Sequence, residues 1–109
     1  MKMTKILDLV QNEKDRIADE LKESEKALEG FPKGKVYTQT KGAKTYYYLK
    51  YRDGNKVVTR YVEESECESL RLRILERDAL LTKIKVLKRE LAVAERILSD
   101  PVIAKLITK

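Results

Sequence analysis

Residues 35–62 read KVYTQTKGAKTYYYLKYRDGNKVVTRYV, and every helix-like segment of the chain lies to one side of this stretch or the other. It holds all six tyrosines. The run TYYYLKY at 45–51 is the strongest strand signal, because aromatic and β-branched side chains suit a pleated, half-buried surface. Residues 35–40 form a first strand, Lys41-Gly42 turns the chain, and 44–52 run back. Asp53-Gly54-Asn55 is a hairpin signal, and 56–62 return. The expected result is a three-stranded antiparallel meander.

The charge pattern favours one register for the second hairpin. A three-residue loop at 53–55 sets Arg52 opposite Lys56. Tyr47, Leu49, Tyr51, Val57, Thr59 and Tyr61 then share one face. Tyr46, Tyr48, Lys50, Arg52, Lys56, Val58, Arg60 and Val62 share the other. The first set is uncharged and suits a core; the second is basic and aromatic and suits water. A two-residue Gly54-Asn55 loop would put Arg60 opposite Leu49 on the buried side, so the three-residue loop is expected.

Upstream, residues 4–29 read as a helix. Met3, Leu7, Val10, Ile17, Leu21 and Leu28 recur at 3- and 4-residue spacing, and Lys14 and Ser24 fill the polar slots. Gly30 ends the helix, and Pro32 and Gly34 prevent resumption. Downstream, Ser65 and Glu68 have the spacing of a capping box opening a helix over 65–98. Cys67, Leu70, Ile74, Leu81, Ile84, Leu91 and Leu98 form one stripe, interrupted by Arg77, Lys88 and Glu95. Leu75, Leu80, Leu87, Ala94 and Ile97 form a second. Two stripes predict contact with more than one helix. The first helix is too short to cover the second, so self-association is the simplest way to cover the remainder. Asp100-Pro101 restarts a short helix at 101–107, whose apolar residues Val102, Ile103, Ala104, Leu106 and Ile107 are expected to fold back or join a dimer interface. The fold class is α+β: long N-terminal helix, β-meander, long C-terminal helix and short terminal helix, with coiled-coil-like helix packing, in a single domain over 1–109.

Charge is unevenly distributed. The chain carries a net +6, whereas residues 31–62 alone hold eight basic residues and one acidic residue, net +7. A local basic field attracts nucleic acid or acidic protein surfaces; lysines on strands also keep edges from pairing. No apolar run is long enough to cross a bilayer, no signal-peptide pattern opens the chain, and Cys67 is the lone cysteine. A cytoplasmic protein without a membrane partner is expected.

Nothing points to catalysis. Histidine, the commonest acid–base residue and metal ligand, is absent. Cys67 shares the spacing of Leu70 and Ile74, which makes it a small core residue. Each glycine is explained by a turn rather than by a phosphate-cradling loop. No enzyme activity, metal or cofactor is expected. The candidate site is instead the outer sheet face: Tyr46 and Tyr48 to stack on bases, Lys50, Arg52, Lys56 and Arg60 to meet phosphates, and Lys41 and Lys44 to extend the contact.

The segments 31–36 (FPKGKV), 44–54 (KTYYYLKYRDG) and 59–62 (TRYV) resemble a family of small uncharacterised bacterial, archaeal and phage-associated proteins that pair such a sheet motif with charged helices. The resemblance implies the same layout and a prokaryotic or mobile-element setting, and it brings no activity. The middle of the chain is also similar in outline to the DNA-binding sheets of phage-type integrases, which implies DNA contact. The reading is a dimeric nucleic-acid-binding accessory or regulatory protein, with DNA preferred over RNA. The alternative is a structural or protein-interaction module that self-associates or binds a partner through its helices.

Overall fold

Strand-forming residues at the centre and 3/4-spaced apolar residues on either side produce the expected α+β order. The computed structural model describes residues 4–107 as α1 (Thr4–Leu28), β1 (Lys35–Lys41), β2 (Lys44–Asp53), β3 (Lys56–Val62), α2 (Glu64–Ser99) and α3 (Pro101–Ile107). Met3, and the side chains of Ala104, Leu106 and Ile107, lie outside the described residues. Two compact units divide the chain. One joins α1, up to Ala27, to α2 from Leu81 onward; the other spans Leu28–Leu80.

In the sheet unit the strand order is β1-β2-β3, antiparallel throughout. The β2–β3 register differs from the expected one. Asp53 pairs with Lys56 across a two-residue Gly54-Asn55 loop, and Leu49 stands opposite Arg60. Gly54 takes a φ of 63°, and among the described residues no non-glycine residue has a positive φ, the sign pattern of a type II′ hairpin turn. Gly42 repeats this between β1 and β2. The register turns Val58 and Val62 inward and leaves Val57 and Tyr61 in water, at 62% and 52% exposure. Arg60 tolerates the helix side because β3 is an edge strand. Its long side chain stays exposed, so no charge is buried. The expectation that an inward-facing arginine must be a buried one was therefore too strict.

The core of this unit is Leu49, Val62 and Cys67, packed by Val36, Tyr47, Tyr51, Leu70 and Ile74. Cys67 takes the small core role that its spacing predicts. α2 starts at Glu64, and the Glu66 amide donates to the Glu63 carbonyl at 3.0 Å. Ser65 thus lies inside the first turn and is not the cap. The acidic Glu64 and Glu66 instead sit at the positive end of the helix dipole.

The exit from α1 also departs from expectation. Gly30 has no positive φ; the Phe31 amide bonds the Leu28 carbonyl at 3.1 Å, and Arg73 Nη2 donates to the Gly30 carbonyl at 2.7 Å. The glycine that needs its freedom is Gly34, at φ 104°, directly against the Lys50 carbonyl.

In the helical unit Ile17, Leu21 and Ser24 of α1 and Ile84, Leu87 and Ala94 of α2 are buried, and the two helices pack in coiled-coil-like fashion. The helices run antiparallel: Glu20 pairs with Lys83 at 3.1 Å, while Val10 lies alongside Ile97. The two stripes read from α2 merge here. Leu87 and Ala94 of the second stripe are buried together with Ile84 of the first, and Lys88 and Glu95 point to solvent. Arg16 bridges Glu13 and Glu20 on the surface. The Lys83 ammonium, then Arg16, holds the Glu20 carboxyl below its ordinary value, so any contribution of this pair is present at neutral pH and is lost as pH falls through the lowered pKa. Such exposed pairs contribute little.

α3 is capped as its sequence predicts. Asp100 Oδ1 accepts from the Val102 amide at 2.8 Å and the Ile103 amide at 3.3 Å. Asp100→Ala is expected to cost the helix end about 1 kcal/mol. Amide hydrogen exchange should show faster exchange at Val102 and Ile103, with the α1–α2 core unchanged.

Candidate interaction surfaces

Strand parity sorts the predicted basic residues. Pairing fixes which residues share a face, because opposite partners point the same way. Lys44, Tyr46, Tyr48, Lys50 and Arg52 line the outer face of β2, and Lys41 stands opposite Lys44 on that face. Lys56 and Arg60 do not belong to it. They lie on the helix side, opposite Asp53 and Leu49. In their place the register brings Lys35, Tyr37, Gln39, Val57, Thr59 and Tyr61 to the outer face. Extending the parity through β1, and giving Val58 and Val62 rather than Val57 and Tyr61 to the core, would have found them.

On this face Tyr48 and Tyr61 meet edge to face, with ring centroids 6.0 Å apart and planes at 72°. Lys50 Nζ lies 5.0 Å from the centre of the Tyr37 ring. Two lysine pairs stand directly opposite each other, Lys35 with Lys50 and Lys41 with Lys44. Like charges so placed oppose pairing; turning Lys50 over Tyr37 relieves one of the two. Glu63, then burial, raises the Tyr61 phenol above its ordinary pKa.

The second surface lies in the helical unit. Val10 and Ile17 of α1, with Val93, Ala94 and Ile97 of α2, line an open apolar groove of about 410 Å³, rimmed by Glu13, Arg89 and Glu90. Val93 is 53% exposed, and Val86, one heptad earlier, is also exposed. On α1, Ile6 lies one turn before Val10 and is exposed, as is Leu9. Apolar side chains at such positions cost solvation that a partner would recover. The second stripe on α2 hinted at this surface; its place beside Val10 and Ile17 depends on the pitch at which α1 packs.

Among the described residues, no group of three or more His, Cys, Asp or Glu side chains is placed to hold a metal ion. No helix among them is long and apolar enough to cross a membrane.

Fold and surfaces together define a helix–meander–helix module with an open apolar helix face. The chain belongs to the family described as a domain of unknown function (DUF6788), whose model matches residues 7–72, more than half of the chain. The matched span takes in nearly all of α1, the whole sheet and the start of α2. No curated protein and no solved structure matches the chain.

Proposed function

We propose that this protein is a non-catalytic interaction module that self-associates through its helices, with a second copy seated groove to groove on the first. The observation that carries the reading is the apolar groove of Val10, Ile17, Val93, Ala94 and Ile97 left open on an otherwise highly charged helix pair. A second copy is the occupant favoured by the rim. Glu13 and Glu90 supply one sign and Arg89 the other, so two grooves related by a twofold axis are self-complementary. Two antiparallel helix pairs joined in this way form a four-helix bundle. A prokaryotic or mobile-element setting is part of the proposal.

Sedimentation velocity tests it. The wild-type chain of 12.7 kDa should run at twice that mass, and Val93→Glu, which puts a charge into the groove, should run as a monomer with unchanged far-UV circular dichroism. A Val93→Glu variant that stays dimeric would exclude the groove.

A second reading keeps the outer sheet face for nucleic acid. What favours it is the register, which gathers Lys35, Lys41, Lys44, Lys50 and Arg52 beside Tyr37, Tyr46, Tyr48 and Tyr61 on one face. Fluorescence polarisation with short duplex and single-stranded DNA and RNA at two salt concentrations tests it. Affinity should fall steeply with salt and be lost in a Lys44→Ala/Lys50→Ala/Arg52→Ala variant. Equal affinity in that variant would remove the sheet face from consideration.

A further inference from the structure

Among the described residues β1 pairs on one side only, with β2, so its outer edge presents a row of backbone groups with no strand beside it. The strand runs seven residues without proline and pairs with β2 without a break, and only Val36 is half-buried. Beside this edge a small apolar depression of about 290 Å³ is formed by Val36, Ile74 and Leu75, flanked by Lys35 and Arg71. Leu75 is 63% exposed there. Edge, depression and basic flanks all belong to the sheet unit.

We infer that β1 is a docking edge for an extended acidic segment of another protein, which adds as a fourth strand. Main-chain hydrogen bonds to the free edge supply affinity, and alternating side chains supply selectivity. Parity sets the pattern. Residues of the added strand on the outer face meet Lys35 and Lys41, so these should be Asp or Glu. Residues on the helix side pass Val36 and the Ile74–Leu75 depression, so at least one should be a branched apolar residue. The strand itself, KVYTQTK, carries no acidic residue.

Charge also disfavours a second copy at this edge in the full-length antiparallel register. An antiparallel β1–β1 pair centred on Thr38 would set Lys35 opposite Lys41 twice, and like charges directly opposite are destabilising. The lysines therefore oppose that self-pairing while attracting an acidic strand.

The test is a fluorescein-labelled peptide of alternating glutamate and valine, titrated into the full chain and followed by polarisation. Saturable, salt-sensitive binding is expected. Binding should weaken about tenfold or more when the peptide backbone is N-methylated at alternate residues, or when Lys35→Glu and Lys41→Glu are introduced together. A peptide with lysine in place of glutamate should then bind that variant better than it binds the wild type. No saturable binding, or equal binding of the N-methylated peptide, would overturn the inference. So would loss of binding to the peptide in favour of an oligonucleotide that Lys35→Glu/Lys41→Glu abolishes. Val93→Glu should leave peptide affinity unchanged, so the failure of this inference and the failure of groove-mediated self-association are separate results.

Discussion

Gly34→Ala is expected to destabilise the protein by about 3 kcal/mol or more, read as a lower urea midpoint with the slope preserved. Two causes act at one position. The φ of 104° lies where an L side chain is strained, and an added Cβ would overlap the Lys50 carbonyl oxygen and stand 2.9 Å from Tyr51 Cβ. Both obstacles are backbone or Cβ atoms, so no side-chain rotation relieves them. Gly42→Ala is the control. Its φ is 63°, but nothing lies within 4 Å of its added Cβ, so only the backbone strain of about 1–3 kcal/mol applies. Equal losses at the two positions would mean that the β1 approach is looser than the geometry requires.

Leu49→Ala is the second large loss, about 2–5 kcal/mol. Leu49 is 4% exposed in the middle strand, between Val36 and Arg60, and beneath it Val62 and Cys67 close the core. Deleting its branch leaves a cavity against β2, which cannot collapse because both neighbouring strands hold it in register. Leu72→Ala, on an α2 residue 56% exposed, should cost within about 0.5 kcal/mol. Chemical denaturation of the pair measures the contrast. Similar losses would place the core elsewhere.

Element order was legible in the sequence because each element announces itself locally. TYYYLKY, the 3/4 stripe of α1 and the Asp100-Pro101 restart each appear in the structure where the residues put them. Register was not, and the reason is specific. Arg60 looks like a residue that must be kept out of a core, yet on an edge strand its parity and its burial are separable. Ser65 is not the cap because α2 already starts at Glu64, directly after Glu63, whose carbonyl accepts from the Glu66 amide. The candidate basic face was therefore only partly legible: six of its eight proposed residues share the outer face, and Lys56 and Arg60 do not. The apolar groove depends on how α1 meets α2, which spacing along either helix leaves undetermined.

The three surfaces make different demands on the molecule. The groove needs apolar contact and tolerates salt, since burial of apolar area is only weakly sensitive to ionic strength. The sheet face and the β1 edge depend on lysines and should weaken as salt rises.

Self-association through the groove is tested most directly by isotope-filtered nuclear Overhauser spectroscopy on a mixture of labelled and unlabelled chains, which reports only contacts between copies. Intermolecular contacts from the methyl groups of Val10 and Ile17 to those of Val93 and Ile97 are the expected result. A mixed sample showing no contact between copies at these methyls, in a chain that sediments as a monomer, would contradict it.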